Sequence, residues 1–411
     1  MLAKFIAILL LVIPLYPKFP ILGVSGTFVS VRLEDFLIAA IFLVFLLHKP
    51  SFSTPLHRSI LLYLFLGLVS TFSAIVLTKS ISLNLGLLHL IRRLEYMSLF
   101  FIGFSFLTSL SQISFLVRTI LVTSLLVAIY GLGQQFLSFP VITTTNSEFS
   151  KGLTLTLGPE ARINSTFAGH YDLAAYTVFP LLLILGLLSL PNIKFKPLLF
   201  AVGLLVYWTL LLSASRVTFA AFYLSAFAFV WLIAKKVWIP LLLILAFFSV
   251  LISPQLAGRY RQLIFPLAHA QVPADEQTAD ALVPVAEDRS FNIRLKAEWP
   301  RAVRAFLKNP VLGTGYSSVG LAVDNDYLRA LAETGILGLL AFLLIIFRFL
   351  KTPPPFNNSL ESIFILSVTL SLVSLLLNAL FIDVFEASKI ALTTWLLLGL
   401  AEKTKILQNK A

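Results

Sequence analysis

Long, uninterrupted apolar runs constrain this chain more than any other feature. They fall at 2–17, 31–47, 59–77, 81–109, 114–138, 170–189, 197–213, 217–234, 237–252, 333–350, 360–380 and 387–401. About 20 helical residues cross a hydrocarbon layer about 30 Å thick, and most of these runs approach that length. In lipid every backbone N–H and C=O must be satisfied within the protein, which leaves helices or a closed barrel. Barrel strands alternate apolar and polar residues, and these runs do not. The expected fold is all-α, a polytopic helical membrane protein with about 12 transmembrane helices. Composition agrees: 58% of the residues are hydrophobic and only 12% charged, against about 25% charged in soluble domains.

The net charge of +12 argues for topology rather than nucleic acid, because much of the excess lies in short loops. Those loops carry His48, Lys49, His57 and Arg58, then Lys194 and Lys196, Lys235 and Lys236, and Arg348 and Lys351, with Lys403, Lys405 and Lys410 in the tail. If the runs alternate across the bilayer, all of these fall on one side, and that side is cytoplasmic. Both termini then face the cytoplasm, and segments 139–169 and 253–332 face outward. Ala3 to Leu15 has a basic flank in Lys4 but no small-residue cleavage site, so it reads as a retained first span. The expected organisation is an N-terminal transmembrane bundle (1–252), an extracytoplasmic loop (253–332) and C-terminal transmembrane helices (333–411).

Polar chemistry gathers in that loop and in the stretch that follows it. Nine Arg/Lys and nine Asp/Glu lie between Ser253 and Thr334. Residues 253–290 read as irregular, with solvated acids at 275, 276, 280, 287 and 288. From Phe291 to Lys308 the apolar residues Phe291, Leu295, Trp299, Ala302 or Val303, and Phe306 recur at three and four residues, which predicts an amphipathic helix. Such a helix lies on the outer leaflet with its bases toward phosphate. Glu298 is spaced to pair with Arg294 or Arg301, and Pro300 to bend the helix. Gly313-Thr314-Gly315 reads as a turn. Val323 to Phe349 then reads as a helix that starts in water, capped by Asp324 or Asp326, and continues through lipid. Gly335 and Gly338 in it allow close approach of another backbone. Upstream, 139–169 reads as loop or short strand and ends in polar residues at the mouth of the next span. Arg216, between two apolar runs, is costly unless it snorkels, pairs or meets an anion. Arg92 and Arg93 break the charge pattern: either the fourth span is displaced, or they serve a ligand at the outer leaflet, or Glu95 neutralises one of them.

The outward polar set, Arg92, Arg93, Arg162, Arg216, Arg294 and Arg301 with Asp324, Asp326 and Glu333, suits an anionic substrate. Arginine stays charged and binds phosphate bidentately. A lipid with a diphosphate head fits: its tail stays in the bilayer, the arginines stabilise charge as the phosphate–sugar bond breaks, and a carboxylate acts as general base on an incoming hydroxyl. Cysteine is absent and histidine scarce, at five. No Walker, dinucleotide or zinc spacing is present. Neither cofactor nor metal is expected.

The run Arg294…Trp299-Pro300…Phe306-Leu307-Lys308-Asn309-Pro310-Val311-Leu312-Gly313-Thr314-Gly315, followed by Asp324-Asn325-Asp326-Tyr327-Leu328 and Glu333-Thr334-Gly335, resembles the signature of the O-antigen ligase and polymerase family. These are bacterial membrane glycosyltransferases of the GT-C type. Arg162…Ser165-Thr166-Phe167…His170 and Ser215-Arg216 are similar to two upstream motifs of that family. The resemblance covers roughly 160–350. It implies a metal-independent, inverting transfer of a glycan from a polyprenyl-diphosphate carrier to an acceptor hydroxyl on a glycan, glycolipid or protein, at the outer face of the bacterial cytoplasmic membrane. It further implies that Arg162, Arg216, Arg294 and Arg301 bind the diphosphate, with His170, Asn325, Asp326, Tyr327 and Glu333 in support. Asp324 stands where the family usually has a histidine. It is read as the catalytic base, with a helix cap as the other reading. Catalytic weight falls on Asp324, Arg216 and Arg294. A transporter or flippase, or a non-catalytic binder of the same glycolipid, is the competing reading, although polar groups at one face rather than near midplane argue against transport.

Overall fold

The structure is a computed structural model that describes residues 2–17, 20–23, 30–48, 54–141, 156–158, 161–191, 193–253, 293–320, 323–352 and 358–410. The start of the expected amphipathic helix, the acids between 275 and 288, and most of 139–160 lie outside the described residues. Helices dominate: α1 (Leu2–Leu15), α2 (Leu33–Leu47), α3 (Pro55–Val76), α4 (Leu83–Phe106), α5 (Gln112–Phe136), α6 (His170–Ser189), α7 (Lys196–Ser213), α8 (Arg216–Leu232), α9 (Trp238–Ile252), α10 (Trp299–Lys308), α11 (Asp326–Lys351), α12 (Leu360–Asn378) and α13 (Ser388–Gln408). A short antiparallel pair, β1 (Pro20–Gly23) with β2 (Ser30–Arg32), precedes α2. The second apolar run thus opens as a strand, a small departure from an all-α chain. Among the described residues, six helices (α3, α5, α6, α7, α11 and α12) are long and apolar enough to cross a membrane, and α1, α8 and α9 are shorter apolar helices.

Contacts between helix ends define two faces of the bundle. At one, Arg348 at the end of α11 donates to the Pro55 carbonyl at the start of α3 (2.5 Å). Lys405 of α13 donates to the Phe349 carbonyl (2.9 Å), and Gln408 reaches Ser362 of α12 (3.2 Å). At the other, Ser70 late in α3 meets the Glu333 carbonyl early in α11 (2.6 Å). Thr218 in the first turn of α8 donates to Asn378 at the end of α12 (2.6 Å), and Arg32 before α2 reaches Ser388 at the start of α13 (3.0 Å). The first face gathers the lysines of the C-terminal helices, the second the acids and arginines. Helices α4 and α13 run parallel with backbones in contact, because neither Gly103 nor Gly399 carries a side chain. A Cβ on Gly399 would strike the Phe100 carbonyl, the close approach that small residues permit between membrane helices.

The long helix α11 does not pass smoothly from water to lipid. Gly335 takes φ 67° and ψ −171° and breaks it. Residues 310–315 fill the break. Ile336 N–H donates to the Pro310 carbonyl, Thr314 N–H to Ala332, and Gly315 N–H to Glu333, at 2.8–2.9 Å. The loop thus satisfies backbone groups that the interrupted helix would leave bare. Gly335 does admit another backbone, that of Val311, as expected; the nearest neighbour of Gly338 is its own helix's Thr334. The N–H groups of Gly313, Thr314 and Gly315 are all committed to carbonyls, so this turn is structural.

The amphipathic segment is two pieces. Arg294–Glu298 forms a π-turn closed by Trp299 N–H to the Arg294 carbonyl, and α10 follows with Pro300 in its first turn. Pro300 has no N–H to offer the carbonyl four residues back, so the turn widens before it. Ala302 is buried with Val319, Val323 and Ala332, with Trp299 packed beside them. That face of α10 therefore rests on protein, not on a leaflet, while Leu295, Val303 and Leu307 remain exposed.

Candidate active site at the acid–arginine end of the bundle

Two short loops meet in front of α11. The turn between α12 and α13 supplies Asp383, whose carboxylate accepts three consecutive backbone N–H groups: Val323 (2.9 Å), Asp324 (3.0 Å) and Asn325 (3.1 Å). It also accepts from Arg329 Nη2 (2.9 Å). Burial alone would raise the Asp383 pKa, but Arg329 and these amides hold it below the usual aspartate range. The turn so fixed places Asp324 in a left-handed conformation, φ 52°, and turns its side chain onto Arg294.

Arg294 donates from Nε (3.0 Å) and Nη2 (2.8 Å) to the same oxygen, Oδ2, of Asp324. Arg294 is buried, whereas the Asp324 side chain keeps 31% of its exposure. Among the described residues its second oxygen has no donor, so it can accept a proton or a hydroxyl. Burial pushes the Asp324 carboxyl above the usual range, and Arg294 partly offsets this.

The cap of α11 is neither of the two aspartates expected there. Asn325 is the N-cap: its side-chain oxygen accepts from Leu328 N–H (2.9 Å) and its amide donates to the Leu380 carbonyl (3.0 Å). With the capping role taken, Asp324 is free for chemistry. Asp326 faces inward and accepts from Phe385 N–H (3.2 Å), and the Tyr327 hydroxyl donates to the Leu376 carbonyl (2.9 Å). Glu333 accepts from Ser317 N–H (3.0 Å) and Arg329 Nη1 (3.1 Å). Asn325, Asp326, Tyr327 and Glu333 therefore bind the turn to its surroundings.

Arg93 belongs to the same scaffold rather than to an outer-leaflet ligand site. It is buried, ion-paired with Glu386 and 3.7 Å from Glu333, and lies over the Tyr316 ring. Glu95 neutralises its neighbour Arg92 (2.9 Å), as does Asp35 (2.8 Å); Glu95 is not the partner of Arg93.

The remaining expected residues lie at the same end. Arg162 donates to His170 Nε2 (2.9 Å). Their segment is tied down by Lys389, which donates to the carbonyls of Pro14 (2.8 Å) and Thr166 (2.7 Å), and by Gln134, whose Oε1 accepts from Ser165 N–H (2.7 Å). Arg216 is the first residue of α8, half-buried, after a left-handed Ala214 that reverses the chain. Arg301 is exposed on α10. The contacts thus bring together Arg294 with Asp324, and Arg162 with His170. Sequence reasoning missed Asp383, Arg329 and Glu386. The available signal was two acids in the short gap between the last two apolar runs, a placement that is costly without a cationic partner.

Fold and site together are those of a helical membrane protein with a buried network of arginines and carboxylates at one end of its bundle. A family model described as O-antigen ligase matches residues 198–343. Over that stretch, which contains Arg216, Arg294, Arg301 and Asp324, the chain is similar to the O-antigen ligase family. The match supports glycan transfer of the ligase or polymerase type in general. No curated protein matches the chain.

Proposed function

We infer that this protein transfers a glycan from a polyprenyl-diphosphate carrier to an acceptor hydroxyl, with inversion, at the outer face of a bacterial cytoplasmic membrane. Repeat-unit polymerisation and ligation to another acceptor share this chemistry. One observation carries the reading: a buried arginine with two donors on one oxygen of a partly exposed aspartate, at the mouth of an apolar bundle. The free oxygen of Asp324 takes the proton of the acceptor hydroxyl. The acceptor oxygen forms its bond to the anomeric carbon as the bond from that carbon to the diphosphate oxygen breaks on the opposite face. Once protonated, Asp324 no longer holds Arg294 by charge, and the guanidinium turns to the negative charge growing on the diphosphate. Arg162 and Arg216 add to that stabilisation. Arg301, exposed on α10, meets the head group on approach. The carrier's tail stays in the bilayer throughout.

The test uses purified protein in nanodiscs with undecaprenyl-diphosphate-linked glycans and follows released undecaprenyl diphosphate and the lengthened or transferred glycan by mass spectrometry. Arg294→Ala is expected to abolish transfer while the protein remains inserted. Full transfer by this variant at normal expression would remove Arg294 from the site.

A further inference from the structure

The side of α10 turned away from the protein carries two edges of different chemistry. Ala302 is the buried centre of the helix, on Val319, Val323 and Ala332. The far side presents Val303, Arg304, Leu307 and Lys308, all exposed. Val303 and Leu307, four residues apart, form one edge; Arg304 and Lys308 form the next, about 100° further round the axis. The helix holds three bases and no acid. Glu298, just before it, is half-buried and lies with Asp324, Arg294 and Arg301. The end of α10 is fixed at the level where α11 turns apolar. The Pro310 carbonyl accepts from Ile336 N–H (2.9 Å), the first residue after the break. From there Ile336, Leu337 and Leu340 point outward, exposed. Asn309 reaches Ser73 of α3 (3.4 Å), beside the exposed Phe72 and Val76. An apolar edge at the rim of such a surface, with a basic edge next to it, suits a helix lying in the headgroup layer. Its apolar side then meets acyl chain and its bases meet phosphate.

We propose that this outer side of α10 docks on anionic phospholipid of the adjacent leaflet, with lipid phosphate on Arg304 and Lys308 and acyl chain over Val303 and Leu307. Charge complementarity selects an anionic, glycerol-headed lipid, because the helix offers no carboxylate to the ammonium of a zwitterionic one. The docking edge is not the face that apolar periodicity picks out, which is spent on protein. The contact has a consequence for the site. Arg294 opens the turn that leads into α10 and sits on Asp324, so lipid on α10 fixes the depth of that pair. The docking itself holds whatever reaction the pair performs.

Fluorescence quenching tests this. With no native cysteine in the chain, Leu307→Cys or Lys308→Cys carries a single environment-sensitive label on the full-length protein. Both positions are exposed, so the packed face of α10 stays intact. The protein sits in nanodiscs of equal phosphatidylglycerol and phosphatidylethanolamine, with the acyl chains of one or the other brominated. The Leu307 label should emit to the blue of the Lys308 label and be quenched by brominated chains. One base near an anionic surface is worth roughly fivefold in lipid occupancy. Brominated phosphatidylglycerol should therefore quench the Leu307 label severalfold more than brominated phosphatidylethanolamine. Arg304→Gln with Lys308→Gln should bring the two lipids to equality. Equal quenching before those substitutions, or a difference that survives them, overturns the proposal. So does a Leu307 label as wet as the Lys308 label, which places the edge in water. A label shielded yet quenched by neither lipid puts protein on the edge and overturns it as well.

Discussion

Asp324 holds a left-handed backbone that aspartate tolerates better than a branched residue does, and Asp383 keeps it there. Replacing Asp324 by asparagine preserves shape and removes the proposed base. Transfer is expected to fall by about a hundredfold or more, measured as initial rate on the lipid-linked donor. Because burial holds the Asp324 pKa above the ordinary range, the wild-type rate should decline with falling pH through a value above 3.8, and the variant should lack that limb. Asp383 has the opposite sign. Its folded pKa is lowered, so its stabilisation is complete above an ordinary aspartate value near 3.8 and is lost as pH falls through the lower folded value. Asp383→Asn leaves Arg329 buried without its carboxylate and should cost about 3–5 kcal/mol. Melting curves should show that gap at neutral pH and its narrowing at the acid end. Arg294 and Asp324 were legible as candidate site residues in a motif, and the structure pairs them. Asp383 was not, since nothing local relates it to a turn some sixty residues earlier (3.0 Å to the Asp324 amide).

At the scale of the element, the break in α11 is the decisive feature. A helix read from hydropathy alone runs from Asp326 into lipid without interruption. In the structure Gly335 and Gly313 both take positive φ and lie against backbone: that of Val311 and Gly313 for Gly335, and that of Glu333 and Gly335 for Gly313. Alanine at either site incurs about 1–2 kcal/mol of conformational strain and a collision with main chain as well. Gly335→Ala and Gly313→Ala should therefore lose folded yield on fluorescence-detected size exclusion. Gly320 has a similar φ of +81° but open space around it. Gly320→Ala should show the strain alone and remain folded, which separates the two effects. Apolar periodicity shows where a helix is buried. It carries no information about where a second loop enters it.

At the scale of the molecule, the two ends of the bundle differ in chemistry. Arg348 and Lys405 sit at one end, on the carbonyls of Pro55 and Phe349; the network of Arg93, Arg294, Arg329 and their carboxylates sits at the other. By the positive-inside rule, the orientation we propose puts the first end in the cytoplasm. The chain has no native cysteine, so single cysteines report topology cleanly. Lys308→Cys on α10 should react with an impermeant maleimide on intact cells, and Lys351→Cys at the end of α11 only after permeabilisation. The reverse pattern would invert the proposed orientation and move the reaction to the other side.

Sequence alone determined that this chain is a helical membrane protein, roughly where its helices lie, and that its arginines and acids concentrate near 290–335. These follow from local quantities: the cost of bare backbone in lipid, the length of apolar runs, and the rarity of charge beside them. Tertiary structure decided which charges meet. It seated Arg93 on Glu386, gave the cap of α11 to Asn325, and let Asp383 fold three amides into the turn that aims Asp324 at Arg294. Those choices depend on distances between segments far apart in the chain. Buried charges must find partners wherever the packed helices place them, and only the assembled bundle fixes those places.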